Sequence, residues 1–248
     1  MHILVTRPEP DASEMRDRLA GMGHTADVAP LLQISLTPPP AAAFEGVTGL
    51  VVTSRNGLRA LATSQALPGL LALPLYVVGR ATGAAARELG FADVTVGPAT
   101  AKDLVSIIVG AKGTVTVGDG PRRLLHLSGD KISFDLVPPL AEEGVQLDRI
   151  TVYRSQTADA MADAVIAALR EGRYDAVVLM SPLTAETFVH LVLREGLAEA
   201  AAVPAYLCLS RGIADVIRRL SPAKVMVAAR PVAEDVLALV HDLASQLE

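Results

Sequence analysis

Gly49-Leu50-Val51-Val52-Thr53-Ser54 and Ala176-Val177-Val178-Leu179-Met180-Ser181 follow one pattern: an apolar run of strand length ends on a small polar residue and passes directly into a stretch of helical period. The pattern returns at Leu75-Tyr76-Val77-Val78-Gly79 and at Ala205-Tyr206-Leu207-Cys208-Leu209-Ser210, and a third helix over 98–109 corresponds to one over 231–240. The offset stays about 130 residues, as Leu75 against Ala205 shows. A unit of strand, small polar residue and helix, repeated three times and then duplicated, predicts two lobes sharing one fold.

Around these runs the rest of the chain falls into place. Continuous Val/Ile/Leu runs, without alternation, are the mark of strands buried on both faces of a parallel sheet. Strands are expected over 2–6, 49–53, 75–78, 124–127, 176–180, 205–209 and 225–228, with weaker ones near Ala26, Val94, Val115 and Leu147. Helices are expected over 11–22, 56–64, 82–89, 184–195, 213–220 and 233–245. Two extended segments interrupt the pattern, Leu31 to Pro40 and Asp148 to Ser155. They flank the first repeat, so the simplest topology starts in one lobe, crosses to a second and crosses back. The expected division is a discontinuous α/β lobe of residues 1–34 plus 156–248, an inserted α/β lobe of 39–148, and linker strands 35–38 and 149–155 side by side as a two-stranded hinge. Lobes on a narrow hinge close on ligands, which places the expected working surface in the cleft between them. A single (β/α)₈ barrel, at roughly 250 residues, is the rival architecture.

Composition narrows the function classes. Of the 248 residues 51% are hydrophobic and only 3% aromatic, which suits a globular α/β protein and leaves no platform for stacking bases. The net charge of -5 disfavours a sequence-independent nucleic-acid footprint. Cys208 is the one cysteine, so no internal disulfide forms, and its apolar strand makes it a small core residue. The start, Met1-His2-Ile3-Leu4-Val5-Thr6-Arg7-Pro8, has no basic region leading into an apolar run, and no stretch reaches the roughly 18 apolar residues of a membrane span. A cytoplasmic location is expected.

Standard motifs are mostly missing. Gly79-Arg80-Ala81-Thr82-Gly83 and Gly118-Asp119-Gly120 lack the third glycine of a dinucleotide loop, and neither a nucleotide phosphate loop nor a Gly-x-Ser-x-Gly elbow occurs. The five histidines, His2, His24, His126, His190 and His241, show no helical pair at metal spacing and read as structural or exposed. Arginine, by contrast, follows the carboxyl end of strand after strand: Arg7, Arg55, Arg80, Arg154, Arg211 and Arg230. Ligands of open α/β sheets bind outside those ends, where helix N-termini also present unpaired N–H groups. With Ser54, Thr82, Ser181 and Ser210 beside them, the ends suit a ligand carrying several carboxylates or phosphates. Taken singly, the serines and Thr82 read equally well as helix caps and the arginines as solvated loop residues. Tyr153 is either packing surface or, at the expected lobe junction, a phenol able to donate a proton.

In order and spacing the chain resembles the uroporphyrinogen-III synthase family over nearly its whole length. The likeness is carried by Val5-Thr6-Arg7-Pro8, Val51-Val52-Thr53-Ser54-Arg55-Asn56-Gly57, Val77-Val78-Gly79-Arg80-Ala81-Thr82, His126-Leu127-Ser128-Gly129, Val152-Tyr153-Arg154 and Met180-Ser181-Pro182. The resemblance implies two flavodoxin-like parallel-sheet lobes joined by a two-stranded ladder, with no metal or organic cofactor. It implies a linear tetrapyrrole with eight carboxylates as substrate, held largely by backbone amides at helix N-termini. By matching position Ser54, Thr82 and Ser181 line the site and Tyr153 is the candidate acid; the strand-end Arg7, Arg55 and Arg80, with Gly79, Ser128 and Gly129, complete the expected substrate-binding set. Many members carry a glycine and paired threonines where this chain reads Ser210-Arg211-Gly212-Ile213, so Ser210 and Arg211 are only substitutes for that contact. A monomer that takes its substrate from the bilane-forming enzyme by transient hand-off is the implied partnership. A two-lobed polycarboxylate sensor or carrier without turnover and a sugar-phosphate enzyme on a barrel are the alternative functions.

Overall fold

The computed structural model describes residues 1–98, 100–111 and 123–247. The weak strand expected near Val115 and the pair Gly118 and Gly120 lie outside them. In chain order the elements are β1 (His2–Val5), α1 (Asp11–Gly21), β2 (Thr25–Val28), β3 (Leu32–Leu36), β4 (Gly49–Val52), α2 (Arg55–Ala62), α3 (Leu67–Leu70), β5 (Leu75–Val78), α4 (Arg80–Glu88), β6 (Val94–Gly97) and α5 (Asp103–Gly110). There follow β7 (Arg123–Gly129), α6 (Val137–Glu142), β8 (Gln146–Thr157), α7 (Asp163–Arg170), β9 (Ala176–Leu179), α8 (Pro182–Arg194), α9 (Ala198–Ala201), β10 (Ala205–Cys208), α10 (Arg211–Ile217), β11 (Lys224–Val227) and α11 (Ala233–Ala244). The chain separates into two compact units, Met1–Gln33 with Gln156–Glu248, and Ile34–Ser155. Each has its own open sheet, so the barrel does not form.

The first unit's sheet has the order β2-β1-β9-β10-β11, and every pairing is parallel. Counted along the unit this is 2-1-3-4-5, the flavodoxin order, in which chain direction across the sheet reverses between the first and third strands. Its central strands are apolar on both faces because both faces are covered. Ile3, Val5, Ala176 and Val178 pack on one side with Met15, Leu19 and Val240. Leu4, Val177 and Leu179 pack on the other with Phe188, Ile213 and Ile217.

The second unit repeats the arrangement with the chain entering at a different point. Its sheet runs β3-β8-β7-β4-β5-β6. Here β7 occupies the place of β1, β8 that of β2, and β4, β5 and β6 those of β9, β10 and β11. The order therefore reverses between β7 and β4, which pair in parallel from Gly49↔Leu124 to Val51↔His126. Leu50 and Val52 face one core with Leu58, Leu61 and Leu127, and Val51 faces the other with Leu104, Ile108 and Leu140.

The extended segments of the sequence become β3 and the long β8, neighbours in the sheet. The Thr37 amide donates to the Val152 carbonyl at 2.8 Å and the Ala158 amide to the Leu31 carbonyl at 2.9 Å. Residue numbers fall along one strand as they rise along the other, so the two run antiparallel. Among the described residues no helix is long and apolar enough to cross a membrane.

Candidate active site

The reversal point of the second sheet opens into a cavity of about 360 Å³. Most of its wall comes from the carboxyl ends of strands: Thr53 and Ser54 after β4, Val78 closing β5, Thr100 and Ala101 after β6, and Gly129 closing β7, with His126 from the middle of β7. The segment Lys131–Phe134 after β7 and Tyr153 of β8 complete it.

Tyr153 is placed by the backbone. Strands β7 and β8 run in parallel register as far as Ser128↔Thr151, after which Gly129 pairs with Tyr153, so β8 holds one extra residue, Val152. Bulges of this kind re-aim a side chain. This one seats the Tyr153 ring over Gly129, where an added Cβ would lie 2.6 Å from the ring carbons Cε2 and Cζ. The phenol lies beside the Ser54 side chain and the Gly129 backbone. Burial raises its pKa above the ordinary tyrosine value and the charge of Asp130 adds to the rise, while the polar Ser54 side chain and Gly129 backbone oppose it. Tyr153 is thus a protonated phenol at neutral pH, a group that can give a proton to a leaving oxygen.

Ser54 has two contacts. It is the N-cap of α2, with φ -148° and ψ 146°, and its hydroxyl accepts from the Asn56 amide at 3.3 Å. It also meets the Tyr153 phenol. His126 is 2% exposed, with Nε2 3.3 Å from the Thr53 hydroxyl. Burial pushes its pKa down to about 4, helped by Arg149 and opposed by Asp135, so the ring is neutral at physiological pH.

The other residues singled out from sequence fall elsewhere. Gly79 caps α4 with φ 77° and ψ 152°, a backbone conformation that side-chain-bearing residues rarely adopt. Thr82 is buried within α4, and Ser128 is fully buried with its hydroxyl donated to the carbonyls of Gly129 and Ile150. Arg55 and Arg80 are the first residues of α2 and α4. In the first unit Ser181 caps α8, accepting from the Thr184 amide at 3.1 Å, whereas Ser210 precedes α10 without a side-chain cap bond and Arg211 is that helix's first residue.

The strand-end arginines are less uniform than the sequence suggests. Arg7 forms a 2.9 Å ion pair with Asp11, and Arg230 a 2.7 Å pair with Asp235. Arg154 does not follow a strand at all but lies inside β8, because that strand continues to Thr157 along its neighbours. None of the six arginines is among the described residues lining the cavity. Sequence reasoning missed Thr53, His126, Lys131 and the wall after β7. For Thr53 and Lys131 the signal available in the sequence is their place just beyond a strand's carboxyl end, whereas His126 lies in the middle of β7. Among the described residues no group of three or more His, Cys, Asp or Glu side chains is arranged to hold a metal.

Two open units of flavodoxin order, with a hydroxyl-lined cavity at the reversal point of one sheet, define a ligand-binding α/β protein. Residues 13–238 match the family profile described as uroporphyrinogen-III synthase HemD, and the chain belongs to that family of porphyrin biosynthesis. Similar solved structures include the uroporphyrinogen-III synthetase from Helicobacter pylori, 17% identical, with a TM-score of 0.64 over 98% of this chain and 99% of that one. A mutant uroporphyrinogen III synthase from the extremely thermophilic bacterium Thermus thermophilus is 19% identical, with a TM-score of 0.58 over 99% of both chains. No curated protein sequence matches.

Proposed function

We propose that the protein is a cyclising hydro-lyase that converts hydroxymethylbilane to uroporphyrinogen III with loss of water and inversion of the terminal pyrrole ring. Family membership over residues 13–238 carries the reading, and the buried, protonated Tyr153 at a sheet reversal point is its chemical support. The reaction starts when the terminal hydroxyl leaves as water, breaking the C–O bond and giving an azafulvene. Hydroxide is a poor leaving group, so a proton must reach that oxygen as the bond breaks, and Tyr153 supplies it. The far pyrrole attacks through its substituted carbon to give a spiro intermediate, which reopens and closes the macrocycle through that ring's unsubstituted carbon, and the proton this carbon loses as the pyrrole is restored replaces the one Tyr153 gave. The positive charge that develops is stabilised by dipoles held in place before the reaction begins.

Free bilane also closes without help, to the unrearranged type I isomer. The protein must therefore fix how the chain folds, which is a matter of orientation as much as rate. Arg7, Ser54, Arg55, Gly79, Arg80, Thr82, Ser128, Gly129, Ser181, Ser210 and Arg211 are the substrate contacts of this reading, with amides at the N-termini of α2 and α8 beside them. The protein acts in the cytoplasm as a monomer and receives its substrate from the bilane-forming enzyme. A sensor or carrier would bind the bilane and leave product formation unchanged. Supplying freshly generated hydroxymethylbilane and resolving the oxidised type I and type III products tests the proposal. Type III is expected; type I alone, at the rate seen without protein, rejects it.

A further inference from the structure

The cavity of the second unit is too small for the whole substrate. At about 360 Å³ it lies at the low end of small-ligand sites, which run from roughly 300 to 1,000 Å³. It has room for part of a linear tetrapyrrole and so acts as a local subsite. Its polar lining is mostly neutral: the hydroxyls of Thr53, Ser54, Thr100, Ser133 and Tyr153, and the uncharged His126. A carboxylate taken into such a place loses water and needs either a counter-charge or several donors.

Lys131 is the one formally charged residue among the described residues lining the cavity. It follows Asp130, whose Oδ1 accepts from the Ser155 amide at 3.1 Å. The next acid along, Asp135, accepts from the Val137 amide at 3.1 Å. Both neighbouring carboxylates are turned to backbone amides, and among the described residues Lys131 makes no ion pair. The residues after it, Ile132 and Phe134, supply apolar surface to the same wall. One short segment therefore presents a point charge on a flexible stem beside an apolar face, the pattern that an acid-bearing pyrrole requires.

We propose that Lys131 binds a side-chain carboxylate of the substrate in this cavity, with Ile132 and Phe134 against the pyrrole that carries it. The proposal rests on the reading of the substrate as a polycarboxylate bilane and assigns the contact to a lysine outside the strand-end arginine series. A lysine makes such a contact as a flexible point charge, so arginine can replace it and an uncharged side chain cannot.

Two measurements on Lys131→Met and Lys131→Arg test it. One is KM and kcat for freshly made hydroxymethylbilane; the other is the Kd for uroporphyrinogen III by anaerobic equilibrium dialysis, which needs no turnover. Loss of one charge-assisted hydrogen bond predicts that Lys131→Met raises both KM and Kd by roughly tenfold or more, with the effect falling on KM rather than kcat. Lys131→Arg should recover most of the loss. Lys131 is exposed, so an unchanged melting temperature accompanies either variant. If KM and Kd of Lys131→Met stay within twofold of the wild type, the assignment is wrong. If the wild type forms no type III product, the functional reading fails, and the Kd comparison still decides the role of Lys131.

Discussion

Gly129 and Tyr153 are paired across β7 and β8 so closely that a Cβ on the glycine would stand 2.8 Å from the phenol oxygen. The glycine is the floor on which the tyrosine ring lies. Its absence of a side chain sets where the phenol oxygen sits relative to Ser54.

Gly129→Ala should therefore push the Tyr153 ring out of place, disturbing the core only where that ring packs on its edge. A misplacement of about 1 Å at a reacting group costs on the order of a hundredfold in rate. The expected result is a large fall in type III formation with a native far-UV spectrum, read by product analysis and circular dichroism. Unchanged turnover would show that the cavity accommodates the methyl group and that the ring does not depend on its floor.

His126 makes the fold sensitive to acid. Its folded pKa, about 4, lies below the unfolded value near 6.5, so between those limits the unfolded chain binds more protons. Stability supplied by the neutral ring is complete above about pH 6.5 and is lost as pH falls toward 4. The shift corresponds to on the order of 3 kcal/mol at most. Urea midpoints from pH 7.5 to 4 should fall more steeply for the wild type than for His126→Gln. Parallel curves would mean that the ring is reached by water and carries no such penalty.

Gly79 is held at φ 77° and ψ 152°, with nothing within 4 Å of where a Cβ would go. Space is available but the conformation is not. Gly79→Ala should cost about 1 to 3 kcal/mol by backbone strain alone, visible as a lower urea midpoint with an unchanged slope. A midpoint equal to the wild type would mean that the turn relaxes without strain.

The central strands were legible because β4, β9 and β10 are buried from end to end, which forces unbroken apolar runs. Their duplication at nearly constant spacing also exposed the repeat. Helices α3 and α6 were not read, because Pro68, Pro138 and Pro139 look like breakers in a sequence. In the fold they sit in the first turns, where a missing N–H is not needed. The full length of β8 was hidden for a different reason. Polar residues such as Arg149 and Arg154 suit an edge, and only pairing with β7 and β3 reveals one strand.

The site was legible in kind more than in detail. Carboxyl ends of strands, serine caps and Tyr153 followed from α/β geometry and from family likeness. A strand-end position, however, says nothing about whether an arginine already has an acidic partner, as Arg7 has in Asp11 and Arg230 in Asp235.

In the proposed reaction the phenol of Tyr153, seated on Gly129 beside Ser54, gives the proton that starts ring closure. Tyr153→Phe keeps the ring and removes only the hydroxyl. A general acid contributes roughly 10² to 10⁴ in rate, and uncatalysed closure continues without it, so the isomer ratio is the sensitive readout. The variant should consume hydroxymethylbilane and yield mainly the type I product while the wild type yields type III. A variant with the wild-type rate and isomer ratio would contradict the account and leave Tyr153 as a packing residue.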